Sequence, residues 1–298
     1  MGECEKLPIM EQYTARFSRV LAHLEAHSEE AASLDELGDL AAFSRHHFHR
    51  QFSGYLGMSV YRYVQFMRMR RASWRLAFRP ELSVGEIALA TGYEGPEAFA
   101  RAFRQYAGQS PSEFREDPNW AEWHSRFRPF IHLRQNTMST LEARPTVRIV
   151  SFPATRVAAL EHRGSPLQLG DTIRKFIDWR KANALPPRSS ATFNIIYNDP
   201  EETPPAEFRF SLCAATDKPI KPNETGVTSL TIPTGRCALL RHVGSDDQLG
   251  RSIRHLYALW LPGSGETPRD FPLFMQRLAF FPDVPDSEAV TDIYLPLM

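Results

Sequence analysis

Apolar side chains recur three and four positions apart through the first half of the chain and gather in short strand-like runs through the second. Phe48, Phe52 and Tyr55 fall at i, i+4 and i+7, and Phe99, Phe103 and Tyr106 repeat that spacing. Each triad predicts a helix with one apolar face. A shorter segment precedes each: Leu34, Leu37 and Leu40 before the first, Ile87 and Ala90 before the second. Both short segments open on Ser-x-x-Glu, Ser33 to Glu36 and Ser83 to Glu86. That pattern predicts a helix start, because the serine oxygen accepts an orphan N–H and the glutamate reaches back to the serine N–H. Tight turns are expected at 42–44 and 92–95, after which Ser44 and Pro96 suit the start of a new helix. Ser59 to Phe78 reads as one helix of about 20 residues with Val60, Val64, Met67 and Trp74 as its buried stripe.

Glu116 to Arg144 has no clean period, yet carries Trp120, Trp123, Phe127 and Phe130 among its prolines. A free linker would be more polar, so part of it is expected to be helical and packed, with a domain boundary between Asn136 and Arg144. Beyond it the sequence predicts a strand ending near Pro153, a strand over 156–162, a turn at Gly164, a helix over 169–181, and strands over 193–197 and 208–213. The same succession is expected again at Pro233, 236–242, Gly244, 249–261, 274–281 and 290–295. Strand, helix, strand in that order predicts an α+β domain with its sheet on one side and its helices on the other.

Each half is internally repeated. Phe48-x-Arg50-x-Phe52-xx-Tyr55-x-Gly57-x-Ser59 returns as Phe99-x-Arg101-x-Phe103-xx-Tyr106-x-Gly108-x-Ser110, 51 positions later. In the second half Pro153 to Arg174 returns 80 positions later with twelve of 22 residues identical, among them His162/His242, Gly164/Gly244 and Gly170/Gly250. Helix, short turn, helix is the helix-turn-helix unit, whose second helix enters the major groove of DNA. The long helix between the two units spans about 30 Å, close to the ~34 Å between successive major-groove faces. The second duplication predicts two similar units about a pseudo-twofold axis, with a ligand cleft where their sheets meet.

With 298 residues, 42% of them hydrophobic and 23% charged, the chain suits two globular domains and excludes a low-complexity or fibrous one. No apolar stretch approaches a membrane span, and no secretory signal is visible, so no membrane role is expected. Three cysteines, Cys4, Cys213 and Cys237, form no metal spacing and fit a reducing cytoplasm rather than a disulfide framework. Thirty-five basic residues balance thirty-five acidic ones, but the balance is uneven. Residues 43–79 hold eight arginines, three histidines and no acid, the electrostatic footprint of a polyanion partner.

Residues 12–117 resemble the AraC-type DNA-binding domain of bacterial transcription regulators. The resemblance rests on Arg68-Met69-x-x-Ala72, on Ile87-Ala88-x-x-x-Gly92-Tyr93, on Phe99-x-Arg101-x-Phe103, and on Gly108-Gln109-Ser110-Pro111-Ser112-Glu113-Phe114-Arg115. It implies recognition helices at 45–53 and 96–105, with outward positions Arg45, His46, His49 and Arg50, then Pro96, Glu97, Ala100 and Arg101. Arg50 and Arg101 can fork onto guanine or grip phosphate. His46 and His49 suit base, phosphate or metal, and no nearby carboxylate completes a metal site. Pro96 and Ala100 offer little hydrogen bonding, so the second helix is expected to read fewer bases. Glu97 repels phosphate unless it meets a cytosine amino group.

Residues 145–298 resemble the GyrI-like effector-binding domain, through His162-Arg163-Gly164-Ser165, Tyr197-Asn198-Asp199-Pro200-Glu201 and Thr291-Asp292-Ile293-Tyr294-Leu295-Pro296-Leu297. That resemblance implies binding of small amphipathic molecules, often cationic, in an aromatic cleft, with a glutamate in the penultimate strand to meet the cation. Met275 aligns with that glutamate, and Glu161 is a candidate substitute. Trp179, Phe193, Tyr197, Trp260, Phe274, Met275 and Tyr294 are the expected ligand-binding residues. His162 and His242 recur together, which points to a structural role at the turn.

The fold expected is therefore multidomain: an all-α domain with two helix-turn-helix units over 12–117, a partly helical linker over 118–144, and a duplicated α+β domain over 145–298. The function expected is a ligand-responsive transcription regulator. Its partners would be double-stranded promoter DNA, a small amphipathic effector and RNA polymerase. No cofactor, metal or catalytic residue is implied. Two alternatives remain open at this level. The second half could hydrolyse reactive small molecules, although no nucleophile–base pair is visible, or it could bind another protein.

Overall fold

The computed structural model describes residues 9–27, 33–137, 145–200 and 202–298, without the side chains of 9–12, 34, 45, 46, 136 and 137. It divides into unit 1, Met1–Arg144 with Pro285–Ser287, and unit 2, Pro145–Val284 with Glu288–Met298. No helix among the described residues is long and apolar enough to cross a membrane.

Unit 1 is helical among its described residues: α1 Ile9–Ala26, α2 Leu34–Ala41, α3 Arg45–Leu56, α4 Val60–Phe78, α5 Val84–Ala90, α6 Pro96–Ala107, α7 Pro111–Glu116 and α8 Trp120–Thr137. Both predicted capping boxes form, and a third forms at Ser110 and Glu113. The Ser33, Ser83 and Ser110 N–H groups hold the three glutamate carboxyls below the usual range. Ser44 takes the N-cap position of α3 without a side-chain cap bond. The two turns close alike. Phe43 N–H donates to Gly38 O at 2.9 Å and Tyr93 N–H to Ala88 O at 3.0 Å. The left-handed position is Ala42 (φ 54°) in the first and Gly92 (φ 82°) in the second.

The connector α4 departs from its predicted stripe. Val60 is buried, but Val64, Met67 and Trp74 are half-buried, while Tyr63, Phe66, Met69, Ala72, Ser73 and Leu76 are buried. The reason is that α4 meets α3, α5, α6, α7 and α8 at once, so burial wraps most of its circumference instead of one face. In α5 the buried residues are Ile87 and Ala88, while Ala90 is exposed.

Several connector arginines work inside unit 1. Arg70, 5% exposed, pairs with Asp286. Arg134 Nε lies 3.0 Å from Glu25 and its Nη1 lies 3.2 Å from Asp286. Tyr63 Oη donates to Glu25 at 2.9 Å. Burial raises the Glu25 carboxyl, against the pull of Arg134. Burial would raise Asp286 too, but Arg70 and Arg134 outweigh it and hold its carboxyl low. Arg79 faces Glu81 at 4.0 Å, whereas the nearby Glu86 is engaged by its capping box.

Unit 2 carries eight strands: β1 Val147–Phe152, β2 Thr155–Arg163, β3 Thr192–Ile196, β4 Arg209–Ala215, β5 Thr228–Ile232, β6 Gly235–Val243, β7 Leu273–Ala279 and β8 Val290–Pro296. Its helices are α9 Leu169–Ala182, α10 Leu249–Arg254 and α11 Leu261–Ser264, with a π-helical stretch His255–Trp260 joining the last two. The predicted helix over 249–261 is thus interrupted, and its counterpart α9 is not.

The expected pair of sheets is one antiparallel sheet, in the order β1-β6-β8-β7-β3-β4-β2-β5. That order reads the same backwards when each strand is replaced by its repeat equivalent, so the pseudo-twofold axis lies between β3 and β7. The first strand of each copy has crossed over: β1 pairs with β6 and β5 pairs with β2. Two residues, 153–154, lead from β1 at one edge to β2 on the far side. In a flat sheet those strands stand about 29 Å apart, six spacings of about 4.8 Å. The connection spans at most about 11 Å. The sheet must therefore curl until its edges meet. Thr234 Oγ1, in the equivalent connection, donates to Phe152 O at 3.0 Å.

Candidate functional site

In unit 1 the candidate surface is the outer face of α3 and α6. Phe48, Phe52, Phe99 and Phe103, on their inner faces, are fully buried. Opposite them His49, Arg50, Pro96, Glu97 and Arg101 are exposed and Ala100 is half-buried. Arg45 and His46 open α3, but their side chains lie outside the described residues. Arg104, one turn beyond Arg101, is exposed and meets Glu113 at 3.4 Å. The repeat made Arg50 and Arg101 legible, since an arginine two residues after a buried phenylalanine must face outward on a helix.

In unit 2 the curl has two faces. α9 covers one half of its outer face, on Phe176, Trp179, Leu185 and Leu212. The α10–α11 segment covers the other, on Leu256, Leu273, Met275 and Ile293, with Trp260 against them. The inner face gathers Phe152, Phe193, Phe274 and Tyr294, with Tyr197 beside them. Phe274 and Tyr294 stack at 4.9 Å between centroids, and Phe152 meets both edge-on.

The predicted ligand residues therefore do not form one group. Phe193, Tyr197, Phe274 and Tyr294 come together inside the curl; Trp179, Trp260 and Met275 lie on its outer side. Strand period explains Met275: side chains alternate faces, so an inward Phe274 forces Met275 outward and Gln276 inward. Gln276, absent from the expected ligand residues, stands opposite Asp292 and Phe193. Alternation around Phe274 was the signal that could have found it. Glu161 does face inward, but Arg209 Nε lies 2.5 Å and Arg163 Nε 3.1 Å from it. Burial would raise its carboxyl; the two guanidiniums outweigh that and hold it low. Arg209 also stacks over Tyr197 at 4.4 Å.

Polar groups thus lie beyond the aromatic centre in each copy. One set is Glu161, Arg209 and Ser211, whose Oγ meets Tyr197 Oη at 3.1 Å. The other is Arg241, Asp292 and Gln276, with Arg241 bidentate on Asp292 at 2.7 and 2.8 Å. Because β3 and β7 run antiparallel, the two sets sit toward opposite ends of the curl.

The paired histidines are turn locks. His162 Nε2 donates to Ser165 O at 3.1 Å, and its Nδ1 meets Thr172 Oγ1 at 2.7 Å. His242 repeats this with Ser245 O at 3.1 Å and Ser252 Oγ at 2.9 Å. A carbonyl only accepts, so Nε2 carries the proton and Nδ1 accepts from the hydroxyl. No group of three or more metal-capable side chains gathers among the described residues.

Residues 145–298 match the model of a GyrI-like small molecule binding domain, and residues 37–117 match that of a helix-turn-helix domain. The chain is similar to YgiV, a probable transcriptional regulator of Escherichia coli K12, at 38% identity, covering 51% of this chain and 95% of that protein. It is similar to the right origin-binding protein of the same strain at 30% identity, covering 44% of this chain and 46% of that protein. Among solved structures, the EcmrR C-terminal domain aligns at 16% identity and a TM-score of 0.43, covering 52% of this chain and 98% of that one.

Proposed function

The chain belongs to the family defined by a GyrI-like small molecule binding domain, here preceded by a helix-turn-helix domain, and on that premise we propose which surfaces do the work. It is an AraC-type DNA-binding transcription regulator, not an enzyme. We assign DNA reading to residues 12–117, with 118–144 as the join and 145–298 as the sensor. Arg45, His46, His49 and Arg50 of α3 and Pro96, Glu97, Ala100 and Arg101 of α6 form the contact set. The observation that carries this is the matched pair Arg50 and Arg101, exposed on helices whose opposite faces are buried phenylalanine. Bases and phosphates of one promoter site meet both helices, and the small molecule binds inside the curled sheet against Phe193, Tyr197, Phe274 and Tyr294. For ligand to control output it must favour one state of the regulator over another. The same reading puts the protein in the cytoplasm and makes RNA polymerase its second macromolecular partner.

The test is DNA binding by the full chain, by fluorescence anisotropy on a duplex selected from a random pool, across a salt series. Arg50→Ala and Arg101→Ala are each expected to weaken binding by about 5- to 150-fold, the span of ~1–3 kcal/mol for one good base contact. Arg50→Ala should also relax sequence choice against mutated competitor sites. Unchanged affinity and an unchanged salt slope in both variants would remove the assignment.

A further inference from the structure

The groups that face into the curl beyond its aromatic centre have a charge imbalance. Glu161 and Asp292 are the acids. Glu161 is shared by Arg209 and Arg163, and both Asp292 oxygens are taken by Arg241. Neither carboxylate is left to receive a cation. The donors are not exhausted in the same way. Arg241 uses Nε and Nη2 on Asp292, which leaves Nη1. Tyr294 Oη reaches Gln276 Oε1 at a long 3.5 Å, which leaves the Gln276 amide N–H groups. Arg148 stands opposite Leu239, itself in the inner cluster, and cross-strand partners share a face. Arg148 is exposed, and its charge reaches the Tyr294 phenol, which burial pushes up and Arg148 and Arg241 draw down.

The rows of the sheet bring these donors together. Arg148, Leu239, Tyr294 and Phe274 follow one another across β1, β6, β8 and β7, and Arg241, Asp292 and Gln276 form the next inward row. Two guanidiniums and an amide thus border the Phe274–Tyr294 stack. We infer that the ligand of this chain is an anionic amphiphile, whose acid group meets Arg148, Arg241 and Gln276 and whose apolar body lies against Tyr294 and Phe274. A carboxylate, sulfonate or phosphate supplies the acceptors these donors lack, and charge-assisted bonds of this kind are roughly twice as strong as neutral ones. An ammonium head would meet arginines and an amide with no open acid. The inference rests on the reading of the sheet interior as the small-molecule site.

The experiment is isothermal titration calorimetry of the full chain with three probes sharing one body: biphenyl carboxylate, biphenylmethanol and biphenylmethylammonium. The carboxylate is expected to bind about tenfold or more tighter than the ammonium, with the alcohol between them. Arg148→Gln, at an exposed position, should remove most of the carboxylate's advantage over the ammonium. Gln276→Glu should shift the preference toward the ammonium. Ammonium or alcohol binding as tightly as carboxylate overturns the inference and leaves the sensor reading standing. A preference that survives both substitutions overturns the assigned residues. Binding of none of the three overturns the inference and the interior site together.

Discussion

In the first half, α2–α3 and α5–α6 each close on their own turn and bury their own phenylalanines, and α4 joins them as a third body. In the second half, β1 leaves its own copy to pair with β6, and β5 returns the exchange with β2. Duplication has thus produced two modules in one case and a single sheet in the other. A module that closes on itself can vary its outward face without consulting its copy. Arg50 and Arg101 have stayed alike while their neighbours diverged, His46 and His49 on α3 against Glu97 and Ala100 on α6. Copies that share strands must keep whatever the joint ring requires. The histidine locks have been kept nearly atom for atom, whereas the inward Ile195 of β3 has become Gln276 at the corresponding place in β7.

Five substitutions test that contrast. Phe274→Ala, at the centre of the inner stack, is expected to destabilise unit 2 by about 3–5 kcal/mol. Hydrogen exchange should show β2–β4 and β6–β8 losing protection together; loss confined to β6, β7 and β8 would mean that the two copies remain separate units. His162→Phe and His242→Phe each strand a carbonyl and a hydroxyl, and should each lower stability by about 1–3 kcal/mol. Urea unfolding of the two variants should give matching losses, because the locks match; a large inequality would break the symmetry. In unit 1 the two turns should respond in opposite senses. Ala42→Gly relieves a left-handed alanine and is expected to stabilise by about 0.5–1 kcal/mol. Gly92→Ala places a Cβ at φ 82°, 3.1 Å from Arg68 Nη1, and should destabilise by about 1 kcal/mol or more. Thermal melts of the two variants read both signs.

The same contrast governs what the sequence makes legible. Helix starts, turns and inward phenylalanines of unit 1 are set by residues within a few positions of one another, so capping boxes and helical period reveal them. The connector's buried surface is set by five other helices, and Val64, Met67 and Trp74 could not announce that they would be only half covered. In unit 2 each strand's position follows from its own residues, but its partner does not. Nothing near Val147 says that its neighbour begins at Gly235. The inner face is nevertheless within reach: taking Phe274 as inward commits the strand to Gln276 inward and Met275 outward. The placing of Trp179 and Trp260 was not legible, because an aromatic at a helix end can face either a ligand or its own sheet, and here both helices turn theirs to the sheet.

The strand exchange also sets an order of events on the ribosome. β1 emerges early, yet the strand it pairs with, β6, is made some eighty residues later, and β8, which lies between β6 and β7, follows the other seven described strands. Until then, neighbours on both sides of β8 lack a pairing edge, and the inner aromatics have no complete wall around them. Long-range pairing of this kind is slow and leaves apolar surface exposed meanwhile. The helix-turn-helix modules, built from local contacts and synthesised first, have no such wait. A chain that stops before Val290 would therefore spare the DNA-reading modules and leave the sheet with a gap where its eighth strand belongs.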